Sequence, residues 1–207
     1  MWQVQPSINR KSSTFDSRTE FSVLNAQETF FNKKSLLNCM EQRLIRKEVV
    51  VNASVKAVWD AWTTPEGAVT FFAPKANISL VIGGPYELLF DLDAPEGSRG
   101  GEGLKLLSFL PVEMLSFEWN APPQYPNVRK GLHTWVVVQF HPLDQNKVRV
   151  RLTHAGWKEG EEWDRVFQYF KRAWDIVLSR LEYRFSKGPI DWNNPYRLPQ
   201  NVTYEVP

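Results

Sequence analysis

Over residues 159–187 the apolar side chains Trp163, Val166, Phe167, Phe170, Trp174, Val177, Leu178 and Leu181 recur at spacings of three and four. That spacing lays them along one face of a helix of 3.6 residues per turn. Asp164, Arg165, Gln168, Lys171, Arg172, Asp175, Arg180 and Glu182 fall between them, which predicts a solvated opposite face. A stripe so broad and aromatic needs a concave partner to cover it.

The chain before this helix supplies strands for that purpose. Residues 44–51 alternate and gather β-branched side chains toward Val51, a first strand. The Asn52-Ala53-Ser54 run offers a cap for a helical piece carrying Val55, Val58, Trp59 and Trp62, and Thr64-Pro65-Glu66 opens a second one reaching Phe72. Ile78, Leu80 and Ile82 alternate into a Gly83-Gly84-Pro85 turn, and the chain returns as a strand over residues 86–92. Further strands are predicted at residues 104–109, 114–120, 133–141 and 147–155.

Two segments interrupt this series. Residues 93–103 are glycine-rich, and the prolines of residues 121–126 remove donors that a central strand needs, so both read as long loops. Consecutive strands on short turns pair antiparallel, and a sheet of about seven strands curls as it twists. The expected fold class is therefore α+β: a curled antiparallel sheet wrapped around a long C-terminal helix, with two short helices after strand one.

Residues 1–39 hold no sustained period and read as an irregular extension, and the change of character at Met40 makes that residue a candidate start. Residues 40–187 form the expected domain, and the prolines and glycine of residues 188–207 mark an irregular tail.

Composition narrows the function classes. A chain of 207 residues with 43% hydrophobic content suits one folded unit. A formal net charge of +2 selects neither nucleic acid nor an anionic membrane, and the oligomeric state is left open. No stretch reaches the roughly 18 apolar residues of a membrane-spanning helix. The lone Cys39 and the lack of a secretory signal pattern point to the cytoplasm.

Three stretches together carry a resemblance. The run from Val55 through Trp59-Asp60-Ala61-Trp62-Thr63-Thr64-Pro65-Glu66, the Gly83-Gly84 turn before a strand, and Leu152-Thr153-His154-Ala155-Gly156-Trp157 before the last helix resemble the START-like (SRPBCC, helix-grip) superfamily. Within it they are similar to the group of the C-terminal domain of the activator of heat-shock chaperone ATPase. The resemblance implies a helix-grip fold with a deep cavity between sheet and long helix. Its members include lipid carriers, cyclases, hydroxylase subunits and co-chaperones, so three functions stay open: binding of an apolar or aromatic small molecule, regulation of a chaperone partner, and a cyclase- or hydrolase-like activity.

Candidate chemistry lies on the strands and the helix. A two-residue hairpin loop at Asp144-Gln145 would set His154 opposite Trp135 and Val150 opposite Gln139. Arg149 and Arg151 belong in water, which turns His154, Trp135 and Gln139 toward the helix. His154 is the one side chain suited to proton transfer there, yet no nucleophile or carboxylate stands at a diagnostic spacing. It reads first as a structural histidine orienting Trp157.

Glu87, Asp91, Glu102 and Glu118 alternate with apolar neighbours and are expected to face outward. His133, His141 and His154 form no metal-ligand spacing, and no cofactor motif is present. The expected ligand-binding set is aromatic: Trp119, Tyr125, Trp135 and Trp157 from strands and loops, Trp163, Phe167 and Phe170 from the helix, with Gln139 and His154 as polar members; Tyr169 is a further aromatic that could line the pocket. Residues 93–103 and 121–130 would gate access. Along the helix, Trp163 to Phe170 would face the ligand, and Trp174 to Leu181 would complete the core.

Overall fold

The computed structural model describes residues 43–131 and 133–206. The extension expected over residues 1–39, and Met40 as a start, lie outside them. β1 (Ile45–Val51) is followed by the short helices α1 (Val55–Thr63) and α2 (Pro65–Ala68), then β2 (Lys75–Ile78) and β3 (Tyr86–Leu89). β4 (Leu106–Leu110) and β5 (Met114–Trp119) come next, then a single-turn helix α3 (Pro126–Arg129), β6 (Thr134–Asp144), β7 (Lys147–Ala155) and the 26-residue helix α4 (Glu161–Ser186).

Local chemistry accounts for the first turn of the chain. Ser54 accepts a bond from the Ala57 amide at 3.3 Å and caps α1, while Thr64 accepts from Gly67 at 3.0 Å and caps α2 behind Pro65. A Cβ at Gly67 would lie 2.2 Å from the Asp60 carbonyl oxygen, so only glycine lets α2 fold back against α1.

Five strands form one antiparallel sheet in the order β1-β7-β6-β5-β4, and β2 and β3 form a two-stranded ribbon. The ribbon continues the sheet beyond β4, because the Tyr86 amide donates to Leu104 O at 2.8 Å and the Leu106 amide donates to Gly84 O at 2.9 Å. Inward side chains from the sheet, among them Val49, Phe117, Val136, Val138, Val150 and Leu152, are buried. They meet Val166, Phe170, Trp174, Leu178 and Leu181 of α4, which are buried as well. This is the expected α+β helix-grip arrangement of seven strands.

The structure corrects the sequence reading at four places. The β2–β3 strand pairing ends at Ile78 opposite Tyr86, so Leu80, Val81 and Ile82 belong to the turn and are exposed. Loop residues 121–130 contain the helical turn α3, whose Glu162-held N-terminus had no periodic signal. The β6–β7 loop is Gln145-Asn146, and an irregularity between Pro142 and Asp144 sets the register so that Val136 faces His154 and Trp135 faces Ala155. A register one residue away sends alternate side chains to the other face. Trp135 and Gln139 therefore lie on the outer face, with Trp135 38% exposed beside Gly156, at which a Cβ would lie 2.5 Å from its ring.

The fourth correction concerns Asp175, which is buried. Its carboxylate lies 2.8 Å from the ammonium of Lys47, itself buried on the inward face of β1. The segment after α4 closes over this pair: the Tyr204 amide donates to Asp175 Oδ1 at 2.9 Å, and the Glu48 amide donates to Tyr204 O at 2.7 Å. Arg172 donates to the carbonyls of Leu198, Pro199 and Val202. The tail has an irregular path, yet it is part of one compact unit, Arg43–Pro207.

Removing one member of a buried ion pair leaves the other charge uncompensated, at a cost of about 3–5 kcal/mol. Asp175→Ala is expected to lose that much stability in urea denaturation. Lys47→Met with Asp175→Leu is expected to regain most of it. A loss below about 1 kcal/mol in Asp175→Ala would show that the pair is not a structural element.

Candidate functional site

His154 lies at the end of β7 and has no exposed surface. The Trp174 indole N–H donates to its Nδ1 at 2.9 Å, so that nitrogen carries a lone pair and the proton sits on Nε2. Nε2 lies 2.7 Å from Thr134 Oγ1 and donates to it, and the Thr134 hydroxyl donates onward to the Trp119 carbonyl at 3.0 Å. Every atom of this chain has one role, and each fits the neutral imidazole. Burial holds the His154 pKa well below its ordinary 6.5. No ring nitrogen is left to take a proton from a substrate. The ring is a clamp joining β7, β6 and α4.

The aromatic side chains above the clamp are packed against it. The Trp157 indole donates to the His154 carbonyl at 3.0 Å, and its ring lies 5.1 Å from Phe167 and 6.4 Å from Trp163. The Arg43 guanidinium lies over the Phe167 ring, 4.0 Å from its centre. Trp157, Trp163 and Phe167 thus cap one end of the core, and with His154 they take no part in the cleft below.

That cleft runs along one flank of α4, in two lobes of about 310 and 240 Å³. Phe90, Trp119, Tyr169 and Phe170 belong to both lobes. The larger lobe opens under the loop residues Asp91, Arg99, Gly100, Pro122 and Gln124; the smaller follows Phe72, Ala173, Trp174, Ile176, Val177 and Arg180. Phe90 and Tyr169 are each 42% exposed, so an apolar wall meets solvent here. The floor is a cluster of rings, with Trp119 5.8 Å from Phe72 and 5.2 Å from Trp174. On α4, Tyr169, Ala173, Ile176 and Arg180 are spaced by four, three and four, one stripe of the helix, and Ala173 leaves the room.

Polar contacts hold the loops that roof the larger lobe. Arg129 donates to Gly97 O at 2.6 Å, Gly100 O at 2.9 Å and Ala121 O at 2.5 Å, tying the two long loops together. Glu102 accepts from the amides of Gly97 and Arg99, both at 2.8 Å. Glu162 of α4 accepts from the side chain of Asn127 at 2.7 Å and from the Asn127 and Val128 amides. The Asn127 side-chain bond is the chief reason its pKa lies below the usual carboxylate value. The expected gating loops are thus braced against each other and against α4.

Of the aromatics predicted from the sequence, the cleft brings together Trp119, Tyr169 and Phe170. Tyr125 stands beside it, 6.4 Å from Tyr169. Trp135 and Gln139 face outward, and His154, Trp157, Trp163 and Phe167 form the clamp and its cap. The division of α4 therefore runs around the helix, not along it. Tyr169, also legible as a pocket aromatic, is a wall of both lobes, whereas sequence reasoning passed over Ala173, Ile176 and Arg180. The three-and-four spacing of that second stripe was the signal available. Among the described residues no group of three or more His, Cys, Asp or Glu is placed to hold a metal ion. None of their helices is long and apolar enough to cross a membrane.

The model of the family described as Activator of Hsp90 ATPase homolog 1-like protein matches residues 52–186. No curated protein matches the chain. Solved structures with the same fold include a protein of Mesorhizobium loti, 19% identical with a TM-score of 0.54, covering 68% of this chain and 94% of that one. The Aha1 dimer of Colwellia psychrerythraea is 18% identical with a TM-score of 0.53, covering 70% and 98%. CalU16 of Micromonospora echinospora is 18% identical with a TM-score of 0.50, covering 73% and 86%. These likenesses place the chain in the START-like, helix-grip fold.

The clamp has a measurable consequence. Above pH 6.5 His154 is neutral folded or unfolded and adds no pH dependence. Below that, the unfolded chain binds a proton that the folded one refuses, so stability falls as pH falls toward the lowered folded pKa. The slope from this site approaches about 1.4 kcal/mol per pH unit. His154→Gln, which keeps an acceptor and a donor but cannot titrate, is expected to lose that slope between pH 6.5 and 5. Parallel stability curves for the two proteins would contradict the buried neutral assignment.

Proposed function

Since the chain belongs to the Activator of Hsp90 ATPase homolog 1-like family, we propose that it is a START-like binding protein whose α4 cleft holds an apolar or aromatic small molecule. The observation that carries this reading is the cleft itself. Two adjoining lobes share four aromatic walls, and half-exposed Phe90 and Tyr169 meet solvent where a packed surface would hide them. Small-molecule sites are concave, largely apolar and furnished with a few polar groups, and this one adds Arg180, Arg99 and Asn120 to its rings. The braced loops keep the larger lobe formed without a ligand, which lowers the ordering cost of binding. The cleft needs no catalytic group for this role, and His154 is committed to the clamp. A cytoplasmic setting, suggested by the lone Cys39, belongs to the same reading.

A second reading is regulation of an Hsp90-type chaperone ATPase. It is favoured by the family and by the exposed apolar turn Leu80, Val81 and Ile82, which are 36%, 61% and 68% exposed. The two readings use different surfaces. Ala173→Trp fills the smaller lobe from a half-buried helix flank. It is expected to abolish the thermal-shift response and native-mass adducts given by a panel of neutral lipids and aromatics, with the unliganded melting temperature little changed. A wild-type protein that gives no response to the panel, but changes the ATPase rate of an added chaperone in a manner lost in Val81→Asp with Ile82→Asp, would contradict the first reading in favour of the second.

A further inference from the structure

The charged groups at the cleft differ in what they already bind. Arg129 is saturated by three backbone carbonyls, Arg99 donates to Ala94 O at 2.9 Å, and Asp91 accepts from the amides of Asp93 and Ala94. Arg180 is the exception. Its Nε is buried with no acceptor, and among the described residues no carboxylate lies within ion-pair distance of it. Its guanidinium lies 5.1 Å from the ring centre of Trp192. That ring is held in turn by the bond from its indole N–H to Val69 O at 2.6 Å. A cation is thus held against Trp192 in the wall of the smaller lobe, with no carboxylate partner among the described residues. Leaving buried donors without partners is costly, and proteins keep such groups where a ligand or water completes them.

From this pattern we infer that the ligand is an apolar monocarboxylate, with its carboxylate on Arg180 and its apolar body along Ala173 and Ile176 toward Tyr169; the inference rests on the ligand-binding reading above. The planar guanidinium matches a carboxylate with two parallel N–H donors. One cation balances one negative charge, so a doubly charged phosphate would keep an uncompensated charge against apolar walls. From Arg180 to Tyr169 is eleven helical residues, about 16 Å along the axis, long enough for an extended acyl chain or fused rings.

The test is a titration of the full chain with decanoate and with decanol, read by tryptophan fluorescence at pH 7.5. Wild type is expected to bind decanoate at least about tenfold tighter than decanol, a difference of about 1.4 kcal/mol. Arg180→Gln is expected to bring decanoate down to the level of decanol, and Arg180→Lys, which keeps the charge but not the fork, to restore part of the preference. Equal affinities for the acid and the alcohol in wild type, or a preference that survives in Arg180→Gln, would overturn the carboxylate anchor while leaving the cleft reading standing. Binding of neither probe to wild type would overturn both.

Discussion

The hydrogen bonds at the two ring nitrogens of His154 are the contact on which the arrangement depends. A buried imidazole must satisfy one donor and one acceptor, and only one relative placement of β6, β7 and α4 does both. Trp174 supplies the donor from the helix, and Thr134 takes the proton from the neighbouring strand. Apolar packing alone would tolerate a small rotation or slide of α4 across the sheet. The clamp does not, because a shift that unmade either bond would leave a polar atom buried without a partner. The buried Lys47–Asp175 pair and the tail laid over it hold a different flank of the same helix in the same way.

With the helix fixed in rotation, its circumference is divided among three surroundings. Phe170, Trp174, Val177, Leu178 and Leu181 face the sheet; Lys171, Arg172 and Asp175 meet β1 and the tail; and Tyr169, Ala173, Ile176 and Arg180 border the cleft. The cleft is therefore a product of the clamp at one remove. Trp119 joins the two, since its carbonyl ends the hydrogen-bond chain from His154 while its ring floors both lobes.

Periodicity made the element types and their order legible, because a two-residue and a 3.6-residue repeat are written directly in the burial each element undergoes. What the sequence hid were relations between elements. The faces of Trp135 and Gln139 depend on a one-residue irregularity near Pro142, which alternation within either strand does not record. Asp175 read as a solvent residue because its partner Lys47 lies far off in the chain and meets it only once the helix crosses β1. The tail bonds through backbone carbonyls, which leave no mark in side-chain pattern. Tyr169 was legible as a pocket aromatic, whereas Ala173, Ile176 and Arg180, which share its helical stripe, were outweighed by the larger aromatic stripe beside them.

The most direct measurement is an indole proton–nitrogen correlation spectrum with the tryptophan resonances assigned by substitution, recorded as an apolar ligand is added. The proposed complex places the ligand against Trp119 and away from the cap of Trp157 and Trp163. It predicts a saturable shift of the Trp119 indole resonance with those of Trp157 and Trp163 unmoved. A ligand that shifts Trp157 and Trp163 and leaves Trp119 in place would contradict it, and would return the site to the upper end of the helix.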